Sequence, residues 1–505
     1  MMSAKMIYDK IYTAAVCLFS VIDTRAKLSL GGYMLLYNSL TRSKDEFKTR
    51  EEGKVTMYTC GPTVYHFAHI GNLRTYTMED VLDKYFRYLG YEVKRVMNVT
   101  DVGHLTSDGD TGEDKMLKGA KREHKTVMQI AEFYADAFFA DCDKLNIKRP
   151  EVIEPATNCI DEFIDMVREL LDKGYAYEAG GNIYFDTSKL EKYYVFNDFT
   201  EEDLAVGVRE SVEEDGNKKN KADFVLWFTK SKFDDQELKW DSPWGIGYPG
   251  WHIECSCIAR KHLGEYLDIH CGGIDNAFPH HTNEIAQSES AFGHEWCGHW
   301  FHVHHLNTGS GKMSKSKGEF LTVSLLEERG YDPLVYRFFC MQSHYRKNLV
   351  FTWENLDNAK TAYEKLVNRV AALSPKDGES VDEAAFLLGK RRFTDALDND
   401  LNTSLAVTAV YDVFKLDTND TTKLALIRDF ERVLSLGLIE AAEEQGSADE
   451  CQSSELVAYI EDMIAKRAAA KRERNFAEAD RIRDELQKRG VTLKDTREGT
   501  TYTVG

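Results

Sequence analysis

The stretch 54–99 commits this chain to one kind of sheet. Residues 54–59 (KVTMYT) alternate as a strand does and run into Cys60-Gly61-Pro62, a turn signal. A helix starts near Asn72. Its apolar positions Met78, Val81, Leu82, Tyr85, Phe86 and Leu89 recur at helical spacing, and Gly90 closes it. Glu92–Val99 then reads as a second strand. Two strands joined by one such helix form a βαβ unit, the start of a parallel sheet, so the expected fold class is α/β.

The chain of 505 residues is too long for one compact core, and two to four domains are expected. Residues 126–174 read as largely helical, from Val127, Ile130, Phe133, Ala137 and Phe138 to a stop at Lys173-Gly174. Glu210–Ala222 (ESVEEDGNKKNKA) reads as a charged surface loop. Strand patterns return at Phe224–Phe228 and Leu267–His270. From about residue 355 the pattern is helical nearly to the end, as in a helical bundle. No repeat of solenoid type is visible.

Charge narrows the function classes. With a net charge of −20, the chain does not grip nucleic acid through its overall field. A nucleic-acid partner must meet a local basic surface. The alternative is a small-molecule enzyme. Ten scattered Cys without a CxxC pair exclude a secreted disulfide scaffold and suit reduced cytosolic thiols, with a subset on a metal. No apolar run reaches the roughly 18 residues of a membrane span. Lys5 and Lys10 precede the apolar run Ile11–Ile22, a poor match to a signal peptide. Residues 1–33 are expected to be a start artefact or a dispensable extension, with Met34 as the true beginning.

Three constellations carry chemistry. In PTVYHFAHIGN (62–72), the turn His69-Ile70-Gly71-Asn72 lies between a strand and a helix start. A helix N-terminus offers free N–H groups and a positive dipole end to phosphate. Gly71 leaves room for a flat ring against the backbone, and His69 can donate to charge developing on a phosphate. Taken alone, this turn reads more simply as a polar loop packing one His. In Lys312-Met313-Ser314-Lys315-Ser316, flanked by Gly309, Gly311 and Gly318, two lysines can close over a polyphosphate. Most short Lys/Ser runs are solvated loops; this one gains from the phosphate-ready turn earlier in the chain. Third, a helix opening after Pro279 places His280 and Glu284 at i and i+4, able to share a metal, with His281 about 100° away. Two thiolates would complete a zinc site. The candidates are Cys255, Cys257 and Cys271, with Cys60 at the end of the first strand, and spacing does not choose among them.

PTVYHFAHIGN with KMSKS resembles the paired signatures of class I aminoacyl-tRNA synthetases. YTCGPTVY (58–65), PGWHIECS (249–256), HCGGIDNAFPHHTNEIAQ (270–287) and GKMSKSKG (311–318) together resemble cysteinyl-tRNA synthetase, from about Met34 to the C-terminus. The resemblance implies a Rossmann-like parallel-sheet catalytic domain in two halves, 34–125 and 224–305, around a connective insertion at 126–223. A KMSKS-bearing region (306–355), an all-α helical bundle (356–445) and a small anticodon-binding domain (446–505) follow. It implies one Zn2+ held by Cys60, Cys255, His280 and Glu284, leaving Cys257, Cys271 and His281 as structural neighbours. Such a metal takes the substrate's thiolate and not a serine hydroxyl, so no editing domain is needed. Trp251 and Thr100 would line the amino-acid pocket, and Gly273 and Asp275 would meet the ATP ribose. His69, Gly71 and Asn72 would face the phosphates. Lys312 and Lys315 would act in catalysis, with Lys315 the strongest single ATP ligand.

The implied reaction joins L-cysteine to tRNA(Cys) through a cysteinyl-adenylate, using ATP with Mg2+, in a cytoplasmic monomer without membrane attachment. The class signature ends in a second His where this chain has Asn72, which donates through its amide but cannot become cationic. Two rivals differ in class: a ligase joining cysteine to an amino sugar, and a non-catalytic zinc-bearing RNA-binding paralogue. RFTDALDNDLNTSLAVT (392–408) resembles the bundle entry of the tRNA-charging family, and residues 464–502 resemble its anticodon-binding domain. Between Lys466 and Lys494 there are ten Lys/Arg against five Asp/Glu, a local basic excess in an acidic chain.

Overall fold

The computed structural model describes residues 33–102, 126–196, 215–230, 238–308, 311–312, 321–496 and 499–504. The expected N-terminal extension, residues 1–33, therefore lies, but for Tyr33, outside the described residues. The chain forms two compact units. The larger comprises residues up to Leu366 together with Leu373–Leu436, and the smaller Val367–Ala372 with Gly437–Gly505.

The larger unit is built on a five-stranded, wholly parallel sheet. Its spatial order is Trp300–Val303, Ile269–Gly273, Lys54–Thr59, Glu92–Val99, Val152–Pro155. The sheet's first strand in chain order, Lys54–Thr59, is thus central, with later strands added on either side, which is the doubly wound order. The order reverses between Lys54–Thr59 and Ile269–Gly273. Ligands of such sheets bind beyond the carboxyl ends of the strands at that switch point. Val55, Met57 and Tyr58 are fully buried, as strands covered on both faces require.

The helix expected after the first strand runs Ile70–Tyr88, and Met78, Val81, Leu82, Tyr85 and Phe86 are all fully buried. Its other face is buried too. Glu79 meets Arg95 at 3.4 Å and Asp80 meets Arg337 at 2.6 Å, buried charges that persist because they are paired. Tyr85 donates to Asp398 Oδ1 at 2.5 Å and Tyr88 to Asp429, tying this helix to the helices Glu383–Asp398 and Asp420–Leu434. Those helices begin where their sequence dictates: the side chains of Asp382, Asn402 and Asn419 cap Glu383–Asp398, Thr403–Val413 and Asp420–Leu434.

Residues 126–174 are not helical throughout. Helices Val127–Lys144 and Ile160–Asp172 flank the edge strand Val152–Pro155. Four half-buried residues ending in Pro are too short to show a period, and the segment read as an insertion thus carries one strand of the core sheet. Phe224–Phe228 is a strand as expected. It joins Ala176–Ala179, Asn182–Phe185 and Tyr248–Pro249 in a separate antiparallel sheet. Residues 215–222 of the charged loop contain neither helix nor strand. Leu267 makes only a bridge to Cys297, and the strand expected there starts at Ile269.

In the smaller unit, helices Leu438–Arg472 and Phe476–Lys488 pack through Ile460, Met463, Ile482 and Leu486. The helical pattern ends at a hairpin, Val491–Thr496 with Gly499–Val504, whose Val491 joins the same core.

Candidate active site and metal centre

A cavity of about 470 Å³ opens at the switch point. One group of its lining residues comes from the signature helix and the strand ends beside it: His69, Gly71, Asn72, Gly273, Asp275 and His305. A second group is Cys60, Cys255, His280, Trp251 and Thr100. Ten residues singled out in the sequence, from five separate segments, thus share one cavity.

His69 is the N-cap of the helix Ile70–Tyr88, and its Nδ1 accepts from the Asn72 N–H at 3.1 Å. With Nδ1 as acceptor, Nε2 carries the ring proton and is the donating nitrogen. Gly71 has a sharper reason than the one expected. A Cβ there would stand 2.9 Å from His69 Nδ1, so glycine is what lets the ring fold back onto the helix end. Asn72 is exposed at the cavity wall. Asp275 lies 3.0 Å through Oδ1 from His305 Nε2. Gly311–Lys312 forms a two-residue strand beside Leu306–Thr308, with Lys312 opposite Asn307. Lys315 lies outside the described residues.

The metal candidates converge. Cys60 follows the first strand, Cys255 lies on helix Ile253–Leu263, and His280 and Glu284 lie one turn apart on helix His280–Phe292. Cys60 Sγ is 4.0 Å from Cys255 Sγ, and Cys255 Sγ is 3.5 Å from His280 Nε2. His280 Nε2 is 3.1 Å from Glu284 Oε1, an oxygen with no hydrogen-bond partner among the described residues. All four residues are buried. Burial pushes both thiols up and lifts the Glu284 carboxyl to about 8. A divalent cation reverses that preference by holding thiolate and carboxylate in their charged forms. Two sulfurs, one imidazole and one carboxylate within 4.8 Å of one another are donor types that suit zinc.

A second foursome, Cys60, His270, His281 and Glu284, is equally compact. His281, set aside for its angle, does reach Cys60 Sγ at 3.3 Å through Nε2 while its Nδ1 meets His302 Nε2 at 2.8 Å. His270 Nε2 is held by Glu284 Oε2 at 2.8 Å. Neither His270 nor His281 lines the cavity, whereas Cys60, Cys255 and His280 do. The first foursome is therefore the one open to a ligand.

Residues 46–361 match the family described as tRNA synthetases class I (C) catalytic domain, and residues 453–502 match the cysteinyl-tRNA ligase anticodon binding domain. The cysteine–tRNA ligase of Treponema denticola is 44% identical over 492 residues, 92% of this chain and 99% of that protein. The chain belongs to the cysteine–tRNA ligase family. The cysteine–tRNA ligase of Borreliella burgdorferi is 42% identical, over 92% of this chain and 98% of that protein. Among solved structures, Mycobacterium tuberculosis methionyl-tRNA synthetase bound by methionyl-adenylate has a similar fold. Its TM-score is 0.50 at 16% identity, covering 77% of this chain and 92% of that one.

In this member of the cysteine–tRNA ligase family, the second-rank contacts were the part that sequence reading missed. His252 Nδ1 meets His280 Nδ1 at 2.8 Å, which turns His280 Nε2 to the thiols. Thr100 donates to Glu254 Oε2 at 2.7 Å and accepts from Asn98 Nδ2 at 3.0 Å. Asn98 Oδ1 in turn accepts from Gly61 N at 2.8 Å. Gly61 is pressed so close that a Cβ would fall 1.6 Å from Asn98 O. The Trp251 ring centroid is 4.7 Å from that of His280. His252 and Glu254 sat inside the PGWHIECS block, a signal that could have found them; Asn98 had none. Among the described residues, no helix is long and apolar enough to cross a membrane.

Proposed function

We propose that this cavity activates L-cysteine with ATP and passes it to tRNA(Cys). The observation that carries the reading is a buried Cys/Cys/His/Glu donor set, three of whose residues, Cys60, Cys255 and His280, line the same cavity as the capped helix end at His69–Asn72. Cys60, Cys255, His280 and Glu284 would hold one zinc ion. Zinc there supplies a soft coordination position that takes a cysteine thiolate and refuses the harder, protonated serine hydroxyl.

The chain's own residues do the rest. Trp251 and Thr100 wall the amino acid against the donor set. Gly273 and Asp275 bind the ribose of ATP, and the N–H groups at the helix end receive its phosphates with Mg2+. The cysteine carboxylate attacks the α-phosphate in line, and pyrophosphate leaves. His69 Nε2–H donates to the charge that builds on phosphate, and Lys312 and Lys315 neutralise the leaving group. The terminal ribose hydroxyl of tRNA then attacks the acyl carbonyl, and AMP leaves. Positioning and charge stabilisation supply the catalysis, with no covalent enzyme intermediate. The basic stretch Lys466–Lys494 in the smaller unit contacts RNA, and the enzyme works as a cytoplasmic monomer.

The test presents cysteine and ATP with each acceptor. Charging of tRNA(Cys), and not of an amino sugar, supports the reading. Transfer to the amino sugar alone overturns it in favour of the ligase. No cysteine-dependent pyrophosphate exchange leaves the non-catalytic paralogue.

A further inference from the structure

Arg74 lies one turn into the signature helix and is fully buried, yet among the described residues no carboxylate pairs with it. Its neighbours behave differently: buried Arg95 and Arg337 meet Glu79 and Asp80. The bonds of Arg74 go to backbone carbonyls. Nη1 donates to His304 O at 2.5 Å and His305 O at 2.6 Å; Nη2 donates to Lys347 O at 2.7 Å and His344 O at 3.4 Å. A buried cation without an anion is tolerated only where hydrogen bonds satisfy it. Carbonyls do so only if their backbone is held, so the guanidinium and these segments order each other.

The two segments are the approaches to strands Leu306–Thr308 and Leu349–Phe351, which pair in parallel from Leu306 opposite Leu349. His304 N bonds Tyr345 O at 2.8 Å and Leu349 N bonds His305 O at 3.0 Å, so the clamp sits at the root of that pair. His304, His305 and Leu306 line the cavity, and His305 reaches Asp275. The same helix presents His69 and Asn72 at its start. One guanidinium thus joins the helix that carries His69 and Asn72 at its start to the wall whose His305 imidazole holds the Asp275 carboxylate.

We propose that Arg74 is a positioning residue: it locks the His304–Leu306 wall to the signature helix and, through His305, sets the Asp275 carboxyl at a fixed spacing from the phosphate-binding turn. The inference rests on the nucleotide reading of this wall. A lysine at the same place is one point donor and cannot span both segments as the planar fork does.

The experiment is equilibrium ATP binding to the full chain, with pyrophosphate exchange and melting temperature alongside. Arg74→Lys is expected to weaken ATP about tenfold while the KM for cysteine stays within about twofold, the range of a residue acting through others. Arg337→Lys, an equally buried arginine that does not touch the cavity wall, is the control. It should lower the melting temperature and leave ATP affinity unchanged. If Arg74→Lys lowers only the melting temperature, its role is structural and the inference is overturned. If the unmodified chain binds no ATP, the nucleotide reading fails and takes the inference with it, a different and recognisable result. Should Arg74→Lys not fold, His305→Ala decides. Weakened ATP with unchanged cysteine supports the coupling, and unchanged ATP overturns it.

Discussion

The two groups of residues lining the cavity differ in how much of their working form the fold already supplies. The metal group is complete and enclosed. Its four donors are buried, and His252 and His270 brace His280 and Glu284 from behind. The helix-end group is open: Asn72 is exposed, and the side chains of Asp275 and His305 are 51% and 31% exposed. On the function proposed above, the difference follows from the tasks. Choosing a thiol over a hydroxyl in the binding step itself, with no later editing, needs a rigid, desolvated donor set. Holding a triphosphate needs charge and N–H groups, which the ligand itself helps to gather.

Breaking the metal group should have the largest effect. Glu284→Gln, or removal of the metal by a chelator, is expected to lower cysteine-dependent pyrophosphate exchange by about 10³-fold or more, since each leaves buried donors uncompensated. Metal content measured on the same sample must fall with it. The helix-end group should respond less steeply. His69→Ala is expected to lower the turnover of exchange about 10²-fold, the effect of one lost donor to developing charge, with the KM for cysteine unchanged. The same change removes the helix cap, so the melting temperature should fall by the equivalent of about 1 kcal/mol. Turnover that survives His69→Ala contradicts the donor role.

Asn72 sharpens the contrast further. Asn72→His and Asn72→Ala are expected to stay within about tenfold of the parent, because an exposed amide donor contributes modestly. A larger loss would move Asn72 into the same rank as His69. The smallest effect concerns pH and belongs to two buried histidines of the segment 299–303. Burial holds the imidazoles of His302 and His299 neutral, with pKa values near 3 and 4, below the usual 6.5. Such groups stabilise the fold fully above pH 6.5, and that contribution is lost as pH falls through their folded values. Melting temperature should therefore decline between pH 6.5 and 4, and His299→Gln should flatten the decline.

What could be read in the sequence follows the same division. Periodicity marked the first strand and its helix because both bury apolar side chains at regular spacing. It did not mark Glu79, Asp80 or Arg74, whose burial depends on partners brought from residues 95, 337 and 304–347. His280 and Glu284 were legible because one helix turn joins them. Cys60 and Cys255 were not separable from Cys257 and Cys271 by spacing, since their meeting is set by the sheet's strand order. In the structure Cys257 instead faces Met166 at 3.5 Å, and Cys271 is fully buried in the sheet. The short strand Val152–Pro155 escaped for a simpler reason: four residues, and no period.

At the centre of the proposed function stands a rigid, thiol-selecting metal group beside an ATP-binding helix end. Pyrophosphate exchange with cysteine and with serine, on the metal-loaded chain and after chelation, tests this most directly. The expected result is exchange with cysteine roughly 10⁴-fold above serine, lost with the metal and restored by zinc. Serine activated within about a hundredfold of cysteine, a margin an apolar pocket alone can reach, or cysteine exchange indifferent to the metal, would contradict it.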